Sequence, residues 1–172
     1  AAFQATTQRA ADGYITTEAM RVTAINAAAV DPSEALRKTA TKLRTELNLP
    51  GGGVPALAKI LQIGTPGEKQ NAIQSLATLR EPQAAELLEK NLDALLSGKL
   101  APELHLELIE TVAKRAEPTL QTKLSTYRSS LPATDPLADF RQCLSGGNAA
   151  EGKRIFMEKA EASCIRCHKV RN

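Results

Sequence analysis

The hydrophobic positions of residues 18–145 recur at helical spacing in short segments, most of which begin at a proline. Apolar residues three and four positions apart form one face of a helix, whereas strict alternation would indicate a strand. Proline is tolerated at the first helical position because its missing N–H has no partner there. The pattern predicts a helix that begins near residue 17, followed by helices over 32–47, 55–63, 68–79, 82–96, 102–115, 118–130 and 136–144.

Two neighbouring parts of this pattern repeat each other at an interval of 36 residues. In each copy an apolar helix ends, an acidic residue and a proline form the turn, and a second helix begins. The positions Ile73, Leu76, Ala77, Glu81, Pro82 and Leu88 recur as Ile109, Val112, Ala113, Glu117, Pro118 and Leu124. This period and two-helix unit resemble HEAT-type α-solenoid repeats, which implies antiparallel helix pairs that stack and share one core. An irregular helical bundle with proline turns is the alternative.

The composition favours the same fold class. Hydrophobic residues make up an ordinary 42% of the 172 residues, but aromatic residues only 3%, with no Trp. A core of Leu, Ile, Val and Ala suits closely packed helices better than a β-sandwich, whose strands favour aromatic and β-branched residues. The length allows one well-buried domain and an appendage. We therefore predict an all-α protein with a helical-repeat domain over residues 1–145 and a separate segment over 146–172.

The charge of the chain argues against nucleic acid as a partner. Lys and Arg number 22 against 19 Asp and Glu, and the resulting net charge of +3 is too small to indicate a nucleic-acid-binding surface. The two signs alternate along helical faces, which is typical of solvated surface. No apolar stretch approaches the length of a transmembrane helix, so we expect no membrane span in this chain.

The residues with the clearest chemistry lie near the end of the chain, as Cys164-Ile165-Arg166-Cys167-His168. Cys-x-x-Cys-His is the attachment signature of c-type haem. The two thiols form thioethers with the haem vinyl groups, and the adjacent imidazole becomes the proximal iron ligand. The spacing is required because one tight turn must present both sulfurs and the imidazole to a single planar ring.

Other interpretations of the motif are a disulfide or redox-active Cys-x-x-Cys, half of a zinc site, or coincidence. Zinc would need two more ligands, and only Cys143 and His105 remain, both far upstream. We expect Cys143 to be a small core or boundary residue and His105 to lie on a helix surface without a functional role. No Ser/His/Asp or paired-carboxylate arrangement stands out, so no catalytic residue is assigned.

The residues around the motif resemble the opening of a class I cytochrome c domain. That opening has a short helix with a glycine and an aromatic residue, then the haem motif, then often Lys and Val. The matching positions here are Gly152, Phe156, Cys164, Cys167, His168, Lys169 and Val170. Asn148 is the expected N-cap of the short helix. The resemblance covers residues 147–172 and lacks the later helices that supply a distal Met or His. Class II cytochromes are the alternative: four-helix bundles with five-coordinate iron and the motif near the C-terminus.

The order of helical repeats followed by a cytochrome c opening is similar to that in large haem-binding proteins of planctomycete and verrucomicrobial type bacteria. The segments that carry this resemblance are 95–103, 135–137 and 146–170. In that family a β-propeller resembling sugar dehydrogenases often precedes the repeats, but no propeller lies within these residues. The resemblance leads us to expect a larger protein, of which this chain is a part, with a signal peptide upstream and a periplasmic or other extracytoplasmic location.

The same resemblance implies a cofactor and partners. Haem c would be bound covalently to Cys164 and Cys167, with His168 as the proximal iron ligand, and would take electrons from a redox protein or a fused dehydrogenase domain. The helical repeats would have a protein partner of their own. Two other functions stay open, namely an interaction scaffold with an inert tail and a ligand-binding cytochrome of class II.

Overall fold

The structure is a computed structural model that describes residues 18–159, 161 and 163–169. Its α-helices are α1 (Glu18–Ala28), α2 (Glu34–Glu46), α3 (Val54–Ile63), α4 (Pro66–Leu76), α5 (Pro82–Leu96), α6 (His105–Ala113), α7 (Pro118–Ser130) and α8 (Ala149–Glu158). Short 3₁₀ helices cover Pro102–Leu104, Ala138–Leu144 and Cys164–Arg166. No described residue lies in a β-strand. The predicted all-α fold class is confirmed.

Local sequence signals set most helix starts. α5 and α7 begin at Pro82 and Pro118, as predicted. α4 begins at Pro66, two residues before the predicted start, because Thr65 and Glu68 form a capping box. The Thr65 hydroxyl accepts a hydrogen bond from the Glu68 amide at 3.2 Å, and the Glu68 carboxylate accepts one from the Thr65 amide at 2.9 Å. The amides of Thr65 and Glu68 would otherwise be unpaired donors at the helix start.

The predicted helix over residues 136–144 is wrong in type, because Ala138–Leu144 forms 3₁₀ turns instead. Ala138 is its one buried residue, and Phe140 and Leu144 are 63% and 77% exposed. A short α-helix is marginal in water without an apolar face packed on a neighbour. Cys143 lies exposed in this segment, so its expected core or boundary position is also wrong.

The helices pack in two rows. α4 contacts α2 and α6, and α5 contacts α3 and α7, so each helix from α2 to α5 meets the helix two further along. Helices that are adjacent in sequence pack against each other between the rows, as α3 does with α4 and α6 with α7. α1 packs on α2 at one end. The core therefore runs between the rows from α3 to α7 and belongs to no single pair of helices.

Both copies of the 36-residue repeat supply this core. In the first copy Ile73, Leu76 and Leu88 are fully buried, and their counterparts Ile109, Val112 and Leu124 are each 8% exposed or less. Because the two copies face inward at equivalent positions, the apolar pattern in the sequence and the packing agree at every one of these six sites.

One charged side chain is buried beside this core. Arg115 is 4% exposed, and its guanidinium donates hydrogen bonds to the carbonyl oxygen of Leu76, at 2.9 Å, and to that of Leu79. Leu76 is the last residue of α4 and Leu79 lies just after it, where carbonyls lack helical partners. Arg115 also forms an ion pair with Glu117, and this hydrogen-bonded pairing lowers the pKa of the Glu117 carboxyl. The end of α4 is thus fastened to the start of α7.

Truncating the shared core should cost more than truncating an exposed apolar residue. We expect Leu76→Ala and Ile109→Ala to lower the free energy of unfolding by about 2–4 kcal/mol, from lost apolar burial plus a cavity. The Ile109 effect should be the smaller, since its side chain is 8% exposed and that of Leu76 is fully buried. Urea unfolding measures both.

Ile63→Ala is the matched control, because Ile63 is 73% exposed at the end of α3. Its effect should stay below about 1 kcal/mol. Equal losses at Ile63 and Ile109 would contradict the assignment of Ile109 to the core.

Candidate functional site

The Cys-x-x-Cys-His motif forms a single turn of the chain. The carbonyl oxygen of Cys164 accepts hydrogen bonds from the amides of Cys167, at 3.3 Å, and His168, at 3.0 Å. Ser163, immediately before, is in the left-handed region with φ 47°. The Ser163 carbonyl accepts from the Arg166 amide at 3.0 Å and so begins the turn. Both cysteines and the histidine therefore leave the backbone within one turn, as the sequence predicted.

Helix α8 supports this turn. Asn148 is the N-cap, as expected, and its side-chain oxygen accepts a hydrogen bond from the Glu151 amide at 3.0 Å. α8 packs against the turn, and the Ser163 amide donates to the carbonyl oxygen of Lys159, just after the helix, at 3.2 Å. The Phe156 ring meets the His168 imidazole edge to face, with centroids 6.4 Å apart and planes at 60°. This aromatic contact orients the imidazole.

The chemistry of these donors fits covalent haem attachment. Cys164 is half-buried and Cys167 exposed, and both are free thiols. His168 is also exposed. Large apolar side chains surround the motif in sequence and are exposed to water: Ile155 by 43%, Met157 by 50% and Ile165 by 54%. Free thiols, an accessible imidazole and nearby exposed apolar side chains are what a haem bound by two thioethers requires.

The other residues considered for metal binding are placed differently. His105 begins α6, is half-buried, and has its Nε2 atom 3.1 Å from the carbonyl oxygen of Leu100. It therefore holds the preceding loop and is less exposed than expected. Among the described residues, no three His, Cys, Asp or Glu side chains are grouped so that they could hold a metal ion directly.

A junction that sequence reasoning missed joins the motif segment to the helical rows. The side-chain amide of Gln70, on α4, donates to the carbonyl oxygens of Glu103, at 2.7 Å, and Gly146, at 3.1 Å. Gly146 has φ +80°, and a Cβ there would lie 2.6 Å from the Glu103 carbonyl oxygen. Only glycine fits this position without strain. The chain is thus fixed at the point where residues 146–172 begin.

A second surface lies across α2, α4 and α6. Three of the buried polar residues, Thr45, Ser75 and Thr111, line a groove of about 460 Å³. Besides Ala77, the other lining residues are polar and carry balanced charge: Lys42, Glu46, Asn71, Gln74, Thr78, Glu110 and Lys114. Thr111 follows Ser75 by 36 residues, so the repeat spacing could have identified these two positions of the groove.

Glu107, one turn before Thr111 on α6, is a half-buried residue that sequence reasoning did not single out. Its Oε2 atom is buried and has no hydrogen-bond partner among the described residues. Burial raises the pKa of the Glu107 carboxyl, and the charge of Glu110 raises it further, whereas a hydrogen bond with the backbone and the charge of Lys38 oppose the rise. The folded protein therefore holds a proton on Glu107 more tightly than the unfolded chain does.

Comparisons of the chain with protein-family models, curated proteins and solved structures found no match. None of the helices within the described ranges has both the length and the apolar character to cross a membrane, in agreement with the sequence.

The junction can be tested with two adjacent glycines. Gly146→Ala should lower the free energy of unfolding by at least about 1 kcal/mol, because an alanine in the left-handed region is strained and its Cβ meets the Glu103 carbonyl. Gly147→Ala is the control, since a Cβ at Gly147 meets no atom within 4 Å, and it should change stability by less than about 0.5 kcal/mol. Equal effects in urea unfolding would show that Gly146 is not constrained.

The pH dependence of stability tests Glu107. Because the pKa of Glu107 is raised in the folded state, its contribution to stability is full below the ordinary carboxyl pKa and is lost as the pH rises through the raised value. Glu107→Gln cannot ionise, so its stability relative to wild type should increase between pH 4 and pH 8. The exposed Glu86→Gln is the control. A stability of Glu107→Gln relative to wild type that falls with rising pH, or that changes no more than that of Glu86→Gln, would contradict the raised pKa of Glu107.

Proposed function

We propose that this chain is part of an extracytoplasmic c-type cytochrome of the planctomycete and verrucomicrobial type. In this proposal haem c is bound covalently at Cys164 and Cys167, with His168 as the proximal iron ligand. The helical repeats are the scaffold that presents it, and the electrons come from a fused or partner dehydrogenase. The observation that carries the proposal is the single turn in which the Cys164 carbonyl binds the amides of both Cys167 and His168.

The residues of the turn would have separate tasks. Each thiol adds across one vinyl group, so that sulfur bonds to one vinyl carbon, the thiol proton goes to the other, and no oxidant is consumed. Both cysteines must therefore be reduced when haem arrives, which agrees with the two free thiols. His168 would bind iron while Phe156 limits the rotation of its ring. The bound haem supplies a one-electron couple between ferric and ferrous iron.

The helical rows support a HEAT-like solenoid as the scaffold. Contacts between each helix and the one two further along are what stacked helix pairs produce. The buried counterparts at an interval of 36 residues agree with a repeated unit. We place the boundary between the solenoid over 1–145 and the opening of the haem domain over 146–172, where Gly146 is fixed by Gln70.

The resemblance to class I cytochromes is preferred over class II. In a four-helix bundle of class II, the helix beside the motif packs among the other helices. Here α8 contains no buried residue, and it packs against the 3₁₀ turn of the motif. A short helix followed directly by the haem motif is the arrangement with which class I domains open.

A protein-interaction scaffold is the second candidate, and the polar groove across α2, α4 and α6 favours it. Its volume of about 460 Å³ lies in the range of ligand sites. The groove is lined by the hydroxyl residues Thr45, Ser75 and Thr111 and by the side-chain amides of Asn71 and Gln74. Such groups can pair with the N–H and C=O groups of a peptide. The two functions are compatible, because the groove and the haem motif use different residues.

Haem attachment should depend on the two motif cysteines alone. We expect the chain, exported with c-type maturation machinery, to carry one haem that survives denaturation, as shown by haem staining of a gel and by intact mass. Cys164→Ala/Cys167→Ala should carry none, because no thioether can form. Cys143→Ala is the matched control, since Cys143 is exposed but lies outside the motif; it should keep full attachment.

An exported, mature wild-type chain without added haem mass, and with Cys164 and Cys167 unmodified, would defeat the electron-transfer proposal and favour the scaffold. A cytoplasmic preparation made without the maturation machinery should contain free thiols or a disulfide and no iron.

A further inference from the structure

A cavity of about 390 Å³ lies between α6, α7 and the 3₁₀ segment Ala138–Leu144. Its volume is within the range of small-molecule sites. The residues that line it are Ile109, Tyr127, Arg128, Leu131, Asp139 and Gln142. None of them belongs to the polar groove across α2, α4 and α6 or to the Cys-x-x-Cys-His motif. The functions proposed above therefore assign no role to this cavity.

Two backbone periodicities bring the lining side chains together. Tyr127, Arg128 and Leu131 share one side of α7, because residues three and four positions apart are neighbours on a helix surface. Asp139 and Gln142 are three positions apart in a 3₁₀ helix, where such side chains stand one above the other. The side-chain amide of Gln142 also donates a hydrogen bond to the carbonyl oxygen of Asp139. The 3₁₀ segment therefore presents a carboxylate and an amide to the cavity that α7 lines from its other side.

The cavity contains opposite charges that do not neutralise each other. The Arg128 guanidinium and the Asp139 carboxylate both line it, and neither forms an ion pair within the part of the chain that the structure describes. Arg141, on the same 3₁₀ segment, pairs with Asp135 at 2.6 Å and so does not compensate Asp139. A ligand that carries both charges can therefore form charge-assisted hydrogen bonds with both side chains.

A second acceptor lies beside the carboxylate. The Oε1 atom of Gln142 is buried and has no hydrogen-bond partner among the described residues. A buried acceptor is costly unless a donor pairs with it. Burial raises the pKa of the Tyr127 hydroxyl, and the charge of the Asp139 carboxylate raises it further, so the negative charge acts within the cavity. This side of the cavity therefore favours a cationic donor.

The other walls of the cavity are apolar. Ile109 is 8% exposed and belongs to the core, and Tyr127 packs against the same core. Leu131 is half-buried and completes the apolar lining. Apolar side chains with a few convergent polar groups are the usual composition of a small-molecule site. The cavity thus combines one cation, one anion with a neighbouring acceptor, and an apolar surface.

We infer that this cavity binds a free α-amino acid with an apolar side chain. The carboxylate of the ligand lies at the Arg128 guanidinium, whose planar fork suits that group. Its ammonium donates to the Asp139 carboxylate and to the Gln142 Oε1 atom, and its side chain packs on Ile109 and Leu131. An anion or a cation alone would leave one of the two charges unpaired. The inference goes beyond the proposed function and is independent of it, because no residue of the haem motif takes part.

L-leucine is the probe for a direct test with the ¹⁵N-labelled chain. We expect shifts of backbone amide resonances in α6, α7 and residues 131–144, and a Kd below about 1 mM by calorimetry. Resonances of α1–α3 should stay in place. Absence of shifts at about 10 mM leucine, or shifts that lie mainly in α1–α3, would overturn the inference.

Analogues of leucine test each part of the ligand. Leucinamide lacks the carboxylate and N-acetyl-leucine lacks the ammonium, so each should bind at least about tenfold more weakly than leucine. L-glutamate and L-lysine keep both charged groups but lack the apolar side chain, and they should also bind at least about tenfold more weakly. Equal binding of leucine and either blocked analogue would overturn the zwitterion. Equal binding of glutamate or lysine would overturn the apolar class.

Variants assign the two charges to their residues. Arg128→Gln should bind leucine at least about tenfold more weakly and should no longer distinguish it from leucinamide. Asp139→Asn should weaken leucine by a similar factor and lose the distinction from N-acetyl-leucine. Both side chains are exposed, so the fold should be kept.

Arg80→Gln is the matched control, because Arg80 is exposed and does not line the cavity. It should bind leucine and its analogues as wild type does. An effect equal to that of Arg128→Gln would show that only net charge matters and would overturn the inference. The same holds if Arg128→Gln still discriminates fully against leucinamide.

Discussion

Each short helix of this array has few aromatic residues and therefore little apolar surface of its own. The array is stabilised by apolar side chains that are buried between each helix and the helix two further along the chain. α4 and α5 contact helices on both sides, so most of the core depends on these two. Arg115 acts at the same place, because its buried guanidinium closes the carbonyl end of α4 and joins it to the turn before α7. Removing Arg115 would leave the carbonyl oxygens of Leu76 and Leu79 without these hydrogen bonds, which costs more than losing an exposed ion pair.

The motif segment is organised by different forces. α8 has no buried residue, and the turn that follows is set by backbone hydrogen bonds, an N-cap and one aromatic contact. Such local interactions can place Cys164, Cys167 and His168 without a large core. The helical array is therefore stabilised by contacts between residues far apart in sequence, and the motif turn by contacts between residues close in sequence. A mutation in the array should affect folding of the array before it affects the geometry of the Cys-x-x-Cys-His turn.

The sequence was sufficient for most of the structure that is set locally, although the capping box at the start of α4 was not recognised. Apolar periodicity and proline predicted α5 and α7 to the residue, and Asn148 was predicted correctly as an N-cap. The prediction for 136–144 failed because a helical pattern does not reveal whether a neighbour will cover it. Arg115, Gln70 and Glu107 were missed for a related reason: each acts through partners more than thirty residues away or through burial by other helices. The motif identified the candidate site, whereas its aromatic support by Phe156 required the structure.

The fixed glycine at the junction divides the chain into parts that can change separately. Gly146 is enclosed by the array, whereas the next residue, Gly147, has open space around it. Variation in length or sequence from residue 147 onward therefore meets no steric resistance from α4 or from the loop before α6. For protein engineering, residue 147 is accordingly a suitable position at which to graft another module onto the same helical array.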